Sequence, residues 1–320
     1  MTSSSGPGPG PDLAFEPESL VVTMDTGDRL HYLDWGGPAT DREPLPPLLM
    51  IHGLASTAWA WAPIARRLRS ATRMLALDLR GHGLSESPRT GYDLESLAYD
   101  ALTVLSANGY GADLDGPPAV VAGHGLGAAV AVTMANLRPR SVAALALVEG
   151  GFEDLAEATG MTAADYQRSI GDPPEVLASM GAYLTDRREF DPQTWDADQE
   201  RAARAAVDEK HAGHVASVVR AHALRGSVEA MFSFRPRVAL ARVAAPTLIV
   251  VAESGAADDE TLRERRLALD DVVHARAAAG VPAPTIRVYK GAGHNLMRYR
   301  AAELSAALLD LLEEAAHQRS

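Results

Sequence analysis

The chain contains no cysteine. Thiolate nucleophiles, disulfides and thiolate-ligated metal sites are therefore excluded, while the redox compartment stays open. Lysine is nearly absent as well: Lys210 and Lys290 are the only two, and arginine supplies the rest of the basic charge. With so much alanine, this is the residue usage of a GC-rich coding sequence. No apolar run approaches the ~20 residues of a membrane-spanning helix. Basic residues are outnumbered, 30 against 42 acidic, for a formal net charge of −12. Such a surface repels phosphate backbones and anionic lipid, which disfavours nucleic-acid and membrane-surface partners. The start, residues 1–17, is rich in Ser, Gly and Pro and has neither a basic opening nor an apolar stretch. It does not read as a signal peptide, and a disordered tail in a soluble cytoplasmic protein is the expectation.

Hydrophobic residues make up 47% of the 320 positions, enough for a sizeable core. They fall into short apolar runs separated by helical patterns. Leu20–Met24 and Leu30–Trp35 flank the turn Thr26-Gly27-Asp28 and read as an antiparallel hairpin. Further strands are expected at Leu48–Ile51, Arg73–Leu77, Ala119–Ala122, Ala143–Val148, Thr247–Ala252 and Thr285–Tyr289. Helical patterns lie between them at Trp59–Arg69, Leu94–Ala107, Leu126–Leu137, Glu260–Ala279 and Ala301–Ala316. Strands alternating with helices predict an α/β fold with an eight-stranded, mostly parallel sheet covered on both faces. Residues 150–245 break the alternation. They are polar and helical without convincing strands, and read as a helical cap inserted between core segments 18–149 and 246–320.

Ligands of such sheets bind at the carboxyl ends of the strands. Those ends read His52-Gly53-Leu54, Asp78-Leu79-Arg80-Gly81-His82-Gly83, Gly123-His124-Gly125-Leu126-Gly127, Glu149-Gly150-Gly151 and Gly291-Ala292-Gly293-His294-Asn295. In this order and spacing they resemble the α/β-hydrolase superfamily, from about Leu20 to the C-terminus. The resemblance implies that Gly123–Gly127 is the Gly-x-Ser-x-Gly nucleophile elbow. Its apex here is Gly125, which has no side chain with which to attack. It also implies that His294 is the general base. The family's acid often follows the seventh strand, where this chain reads Ala252-Glu253-Ser254-Gly255. Other members place it after the sixth strand, where Glu149 stands. Glu149 is preferred to Glu253, and to Asp258 and Asp259, which open a helix and fit a capping role. The oxyanion hole would be made by the backbone N–H groups of Leu54 and Leu126.

Gly53, His124, Trp59 and Phe152 are the candidate pocket residues. Within that set His124 is expected as packing support, and Trp59, like Trp61, as a helix-packing residue beside the pocket. His52, Asp78, Arg80 and His82 read as scaffold. His211, His214 and His222 lack paired carboxylates and make a poor metal site. No cofactor is expected, and the expected partner is a small molecule.

Gly123-x-Gly125-x-x-Ala128 also fits the dinucleotide fingerprint, with Glu149 near the position of its ribose-binding acid. Four strands precede it, however, and the Gly-Ala-Gly-His-Asn run has no place in that reading. The sequence thus points to an enzyme acting on a small, largely apolar ester, lactone or related carbonyl compound. The alternatives are a silent or engineered-inactive serine hydrolase that binds ligand and, behind it, a dinucleotide-binding oxidoreductase.

Overall fold

The computed structural model describes residues 15–38, 45–111, 115–171, 179–211, 213–255 and 259–318. Among these, eight strands form one sheet: β1 (Glu18–Thr23), β2 (Arg29–Asp34), β3 (Leu48–Ile51), β4 (Met74–Leu77), β5 (Ala119–His124), β6 (Val142–Val148), β9 (Thr247–Glu253) and β10 (Thr285–Lys290). Their spatial order is β1-β2-β4-β3-β5-β6-β9-β10. β1 pairs antiparallel with β2, β2 antiparallel with β4, and every later pair is parallel. Helices α1 (Ala62–Leu68), α2 (Leu94–Ala107) and α3 (Leu126–Leu137) alternate with the first strands. The chain closes with α10 (Asp259–Ala278), α11 (Leu296–Tyr299) and α12 (Ala301–His317).

The central strands read as unbroken apolar runs because both faces of the sheet are covered. Successive side chains point to opposite faces. Leu49, Ile51, Leu75, Leu77, Val121, Leu145 and Leu147 enter the cluster that holds α2 and α3. Their neighbours Leu48, Met50, Met74, Ala76, Val120, Ala122 and Ala146 enter the cluster that holds α1 and α12. Two separate cores therefore fix the strand register, because a slip of one residue would exchange them.

The insertion between β6 and β9 carries α4 (Leu155–Thr159), α5 (Ala163–Ile170), α6 (Met180–Phe190), α7 (Ala197–Ala205), α8 (Ala221–Ser233) and α9 (Pro236–Leu240). It is not purely helical, which corrects the expectation from sequence. β7 (Val207–His211) and β8 (His214–Ser217) form a second, two-stranded antiparallel sheet, turning at Gly213 with φ +84°. The insertion is tied to the core by a buried ion pair. Arg66 of α1 donates from Nε and Nη2 to the two oxygens of Asp198 in α7, at 2.7 and 2.8 Å. A second tie runs from Arg298 of α11, which donates to Thr194 Oγ1 and, at 3.0 Å, to Asp191 O.

Of the expected N-terminal tail, residues 1–14 lie outside the described residues. The ring of Phe15 lies under the Arg69 guanidinium, 3.5 Å from centroid to carbon, and tilts against Trp35. The tail boundary at residue 17 therefore falls too late. No helix among the described residues is long and apolar enough to cross a membrane.

Candidate active site

The carboxyl ends of β3, β5, β6 and β10 bring Gly53, Gly125, Glu149 and His294 together. β5 ends in a sharp turn at Gly125, and α3 begins at the next residue. Gly125 has φ +53° and ψ −114°, a conformation sparsely populated by residues with side chains. The glycines on either side are needed for packing. A Cβ at Gly123 would lie 2.1 Å from Gly127 O, and one at Gly127 would lie 2.3 Å from Ile51 O. The apex differs. A Cβ at residue 125 would meet only Gly53 Cα at 3.7 Å and His294 Nε2 at 3.9 Å, ordinary van der Waals contacts. The elbow therefore has spare room at its apex, directed at the imidazole.

Glu149 follows β6 with φ +54°; Ala55, in the loop after β3, has φ +56°. Two of the three non-glycine residues with positive φ among the described residues thus stand in loops that build this site. Glu149 is buried, and its Oε2 accepts from His294 Nδ1 at 3.1 Å. A carboxylate oxygen only accepts, so Nδ1 carries the proton and Nε2 of the neutral ring keeps its lone pair, facing the space over Gly125. The other oxygen, Oε1, accepts from Ala252 N–H at 2.6 Å and from Arg265 Nη2 at 3.0 Å. Burial alone would raise the Glu149 pKa. The His294 bond, the Arg265 charge and the Ala252 N–H outweigh it and hold the carboxyl below its ordinary range. The His294 side chain is 64% exposed to solvent.

His124, next to the apex, is buried against the His294 ring with centroids 4.4 Å apart. Its Nε2 donates to His294 O at 3.1 Å, which braces the histidine loop from below. Burial, with the His294 ring acting in the same direction, lowers its pKa to about 3, so the ring stays neutral. Leu54 lies half-buried in the turn after β3, and Leu126 is the first residue of α3. An N–H at that helix position has no intrahelical partner and sits where the helix dipole favours negative charge.

The Asp78–Ser85 loop supports this arrangement and lies beside it. Asp78 Oδ2 accepts from His31 Nδ1 at 2.7 Å and Leu84 N–H at 3.0 Å, and Oδ1 from Ala58 N–H at 2.6 Å. Arg80 forms a two-pronged buried pair with Asp100. His52 Nε2 accepts from Leu79 N–H at 3.0 Å while Nδ1 donates to Gly53 O at 2.7 Å, which fixes a neutral ring that joins two loops.

Two of the candidate pocket residues are committed elsewhere. The Trp59 ring packs edge-on against Trp35 at 5.7 Å and lies under the Arg201 guanidinium. Phe152 is fully buried in the main core rather than presented by the insertion, with Arg265 over its ring. Asp258 lies outside the described residues, as does the side chain of Asp259. Glu253 pairs with Arg266 instead of His294. His222 bonds Ser87 Oγ and Pro88 O, and no group of three metal-binding side chains occurs among the described residues. Among the described residues, Arg265 is a participant that sequence patterns miss. It sits in the run Arg263-Glu264-Arg265-Arg266, where nothing distinguishes it from its neighbours.

Residues 48–307 match the alpha/beta hydrolase family. The chain belongs to that family. Among curated relatives, 2-(acetamidomethylene)succinate hydrolase of Mesorhizobium japonicum is 30% identical over 143 residues, 44% of this chain and 49% of that one. Human epoxide hydrolase 4 is 31% identical over 130 residues, 40% of this chain and 33% of its own. The match thus spans half or less of the length of these relatives. Among solved structures, E-2-(acetamidomethylene)succinate hydrolase superposes with a TM-score of 0.72 at 23% identity, covering 93% of this chain and all of that one. A serine-to-glycine mutant of the N-acyl homoserine lactonase AidH, in complex with N-hexanoyl homoserine lactone, gives 0.65 at 19% identity over 94% and 99% of the two chains. At these identities the likeness is one of fold. The hydrolase sheet, with four strands before the Gly123–Gly127 turn, removes the ground for the dinucleotide reading.

Proposed function

We propose that this alpha/beta hydrolase cleaves a small, largely apolar ester or lactone by direct attack of water. His294 is the general base, Glu149 its orienting acid, and the space over Gly125 the seat of the water. The observation that carries this reading is the room at residue 125, bounded by Gly53 Cα and His294 Nε2. A serine hydroxyl would fill that space, and a water of similar size takes its place when polar partners are present. As the water oxygen bonds to the carbonyl carbon, its proton passes to His294 Nε2. Negative charge then gathers on the carbonyl oxygen, where the N–H groups of Leu54 and Leu126 receive it. Collapse breaks the carbon–oxygen bond to the leaving group, and the imidazolium returns the proton to the departing oxygen. No covalent enzyme intermediate forms and no cofactor is needed. The insertion acts as the cap over the substrate, and the protein works as a soluble cytoplasmic enzyme. Hydrolase relatives support the reaction class.

A panel of activated esters and lactones tests this with the parent chain, His294→Ala and Gly125→Ala. Turnover by the parent should disappear in His294→Ala. It should fall sharply in Gly125→Ala, whose methyl group occupies the space assigned to water. Turnover that survives both changes would defeat the reading.

A second reading has its own support. The lactonase mutant of similar fold holds its lactone with glycine in place of a serine. A chain with this site and no turnover would then be a silent binding module, recognised by ligand affinity that persists in His294→Ala.

A further inference from the structure

Glu149 is held from both sides. Oε2 faces His294, while Oε1 is taken by Ala252 N–H and Arg265 Nη2. Arg265 belongs to α10, and it does more than meet one oxygen. Its Nη1 donates to Ala252 O at 3.1 Å, so one guanidinium grips both the carboxylate and the end of β9. Its Nε lies 3.3 Å from Glu153 Oε1, and its plane sits over the buried Phe152 ring. The Arg265 and Glu149 side chains are 19% and 3% exposed, so water screens their interaction only weakly.

This geometry has two physical effects. A carboxylate fixed at one oxygen by an N–H and a guanidinium cannot rotate, and it presents only its other oxygen to the imidazole. Charge is the second effect. A lone buried carboxylate beside a histidine favours the imidazolium, which cannot accept a proton from water. A cation on the far oxygen offsets that bias.

We propose that Arg265 is a positioning residue of this site: it turns Glu149 Oε2 toward His294, and its charge balances that of the Glu149 carboxylate. This rests on the His294–Glu149 pair serving as the base. The titratable groups facing that pair among the described residues are Glu153 beyond β6, Arg265 on α10 and His124 at the end of β5. His124 is neutral and adds no charge. Burial, reinforced by Glu149, pushes the Glu153 carboxyl above its ordinary range. Arg265 lies nearer Glu149 than Glu153, at 3.0 against 3.3 Å.

The test follows the His294 Nδ1 proton by NMR in the folded protein, without substrate, alongside turnover of an activated ester. In the parent this proton should be held in a hydrogen bond and protected from exchange, and Glu149→Gln should alter its signal. Arg265→Met should broaden the signal by exchange with water and lower kcat at least roughly tenfold with KM little changed, because the carboxylate is no longer fixed. Arg265→Lys should recover most of both. If Glu149→Gln alters the signal but Arg265→Met leaves signal and kcat in place, the proposal is overturned and the base pair stands. If Glu149→Gln alters nothing, the pairing itself is wrong and the proposal falls with it. If Arg265→Met does not fold, Arg265→Gln decides: an unchanged signal and kcat overturn the proposal.

Discussion

Restoring a side chain at the elbow apex is the perturbation whose consequences follow most fully from the geometry. In Gly125→Ser the new Cβ meets Gly53 Cα at 3.7 Å and His294 Nε2 at 3.9 Å, so nothing must move to admit it. Its hydroxyl, one bond further on, comes within about 3 Å of Nε2, the reach a nucleophile and its base require. The cost is backbone strain. With φ +53° and ψ −114°, a residue bearing a side chain loses about 1–3 kcal/mol. For a chain of this size that corresponds to a melting temperature lower by roughly 1.5–4.5 °C. The gain is a covalent route. In a serine protease, losing the serine costs about 10⁶-fold in kcat, so supplying one to an otherwise complete site should raise ester turnover by at least roughly 10³-fold. The assay is p-nitrophenyl ester hydrolysis, with intact-mass detection of a fluorophosphonate adduct on Ser in the variant and none on the parent. A folded Gly125→Ser protein that neither gains activity nor takes up the reagent would show that His294 and the elbow are not arranged as argued.

Acid should weaken the fold earlier than its acidic composition suggests. His82 and His124 are buried neutral, with burial lowering each pKa to about 3. The unfolded chain protonates both near pH 6.5, so stability is complete above that value and declines as pH falls toward 3. Each histidine contributes about 2 kcal/mol of the loss at pH 5, to be read from urea midpoints at pH 8, 6 and 5. Gly127→Ala places a Cβ 2.3 Å from Ile51 O and should cost more than about 3 kcal/mol, in contrast to the tolerated change at Gly125 two residues away. Replacing Asp100 by Asn leaves the Arg80 guanidinium without its buried counter-charge and should cost about 3–5 kcal/mol by the same urea assay.

The elements legible in the sequence are those whose environment repeats a simple rule. β3 to β6 are buried on both faces and appear as apolar runs, and α2 opens at Asp93, whose side chain accepts from Ser96 N–H at 2.9 Å. β7 was hidden because Val207-Asp208-Glu209-Lys210-His211 carries one apolar residue and follows an alanine-rich helix. Its only local signal is Gly213 before His214, between strands with little apolar surface to mark them. Phe15 was hidden by a neighbourhood of Pro and Gly that reads as tail, although its ring is held by Arg69 and Trp35. At the site, motif order pointed to His294, Glu149 and Gly125. Spacing along the chain cannot reveal that Gly125 has spare room while Gly123 and Gly127 have none, because the neighbours that decide it come from β3 and the His294 loop. Nor can it distinguish Arg265 from Arg263 and Arg266, since only the fold brings one of them against Glu149.

The central claim is that His294 activates water where the family keeps a serine. Single-turnover hydrolysis of an activated lactone, with enzyme in excess and intact protein followed by mass spectrometry, tests it most directly. The account predicts product formation that requires His294 and no acyl adduct at any time point. Product formed equally well by His294→Ala, or an acyl adduct on the parent chain, would contradict it.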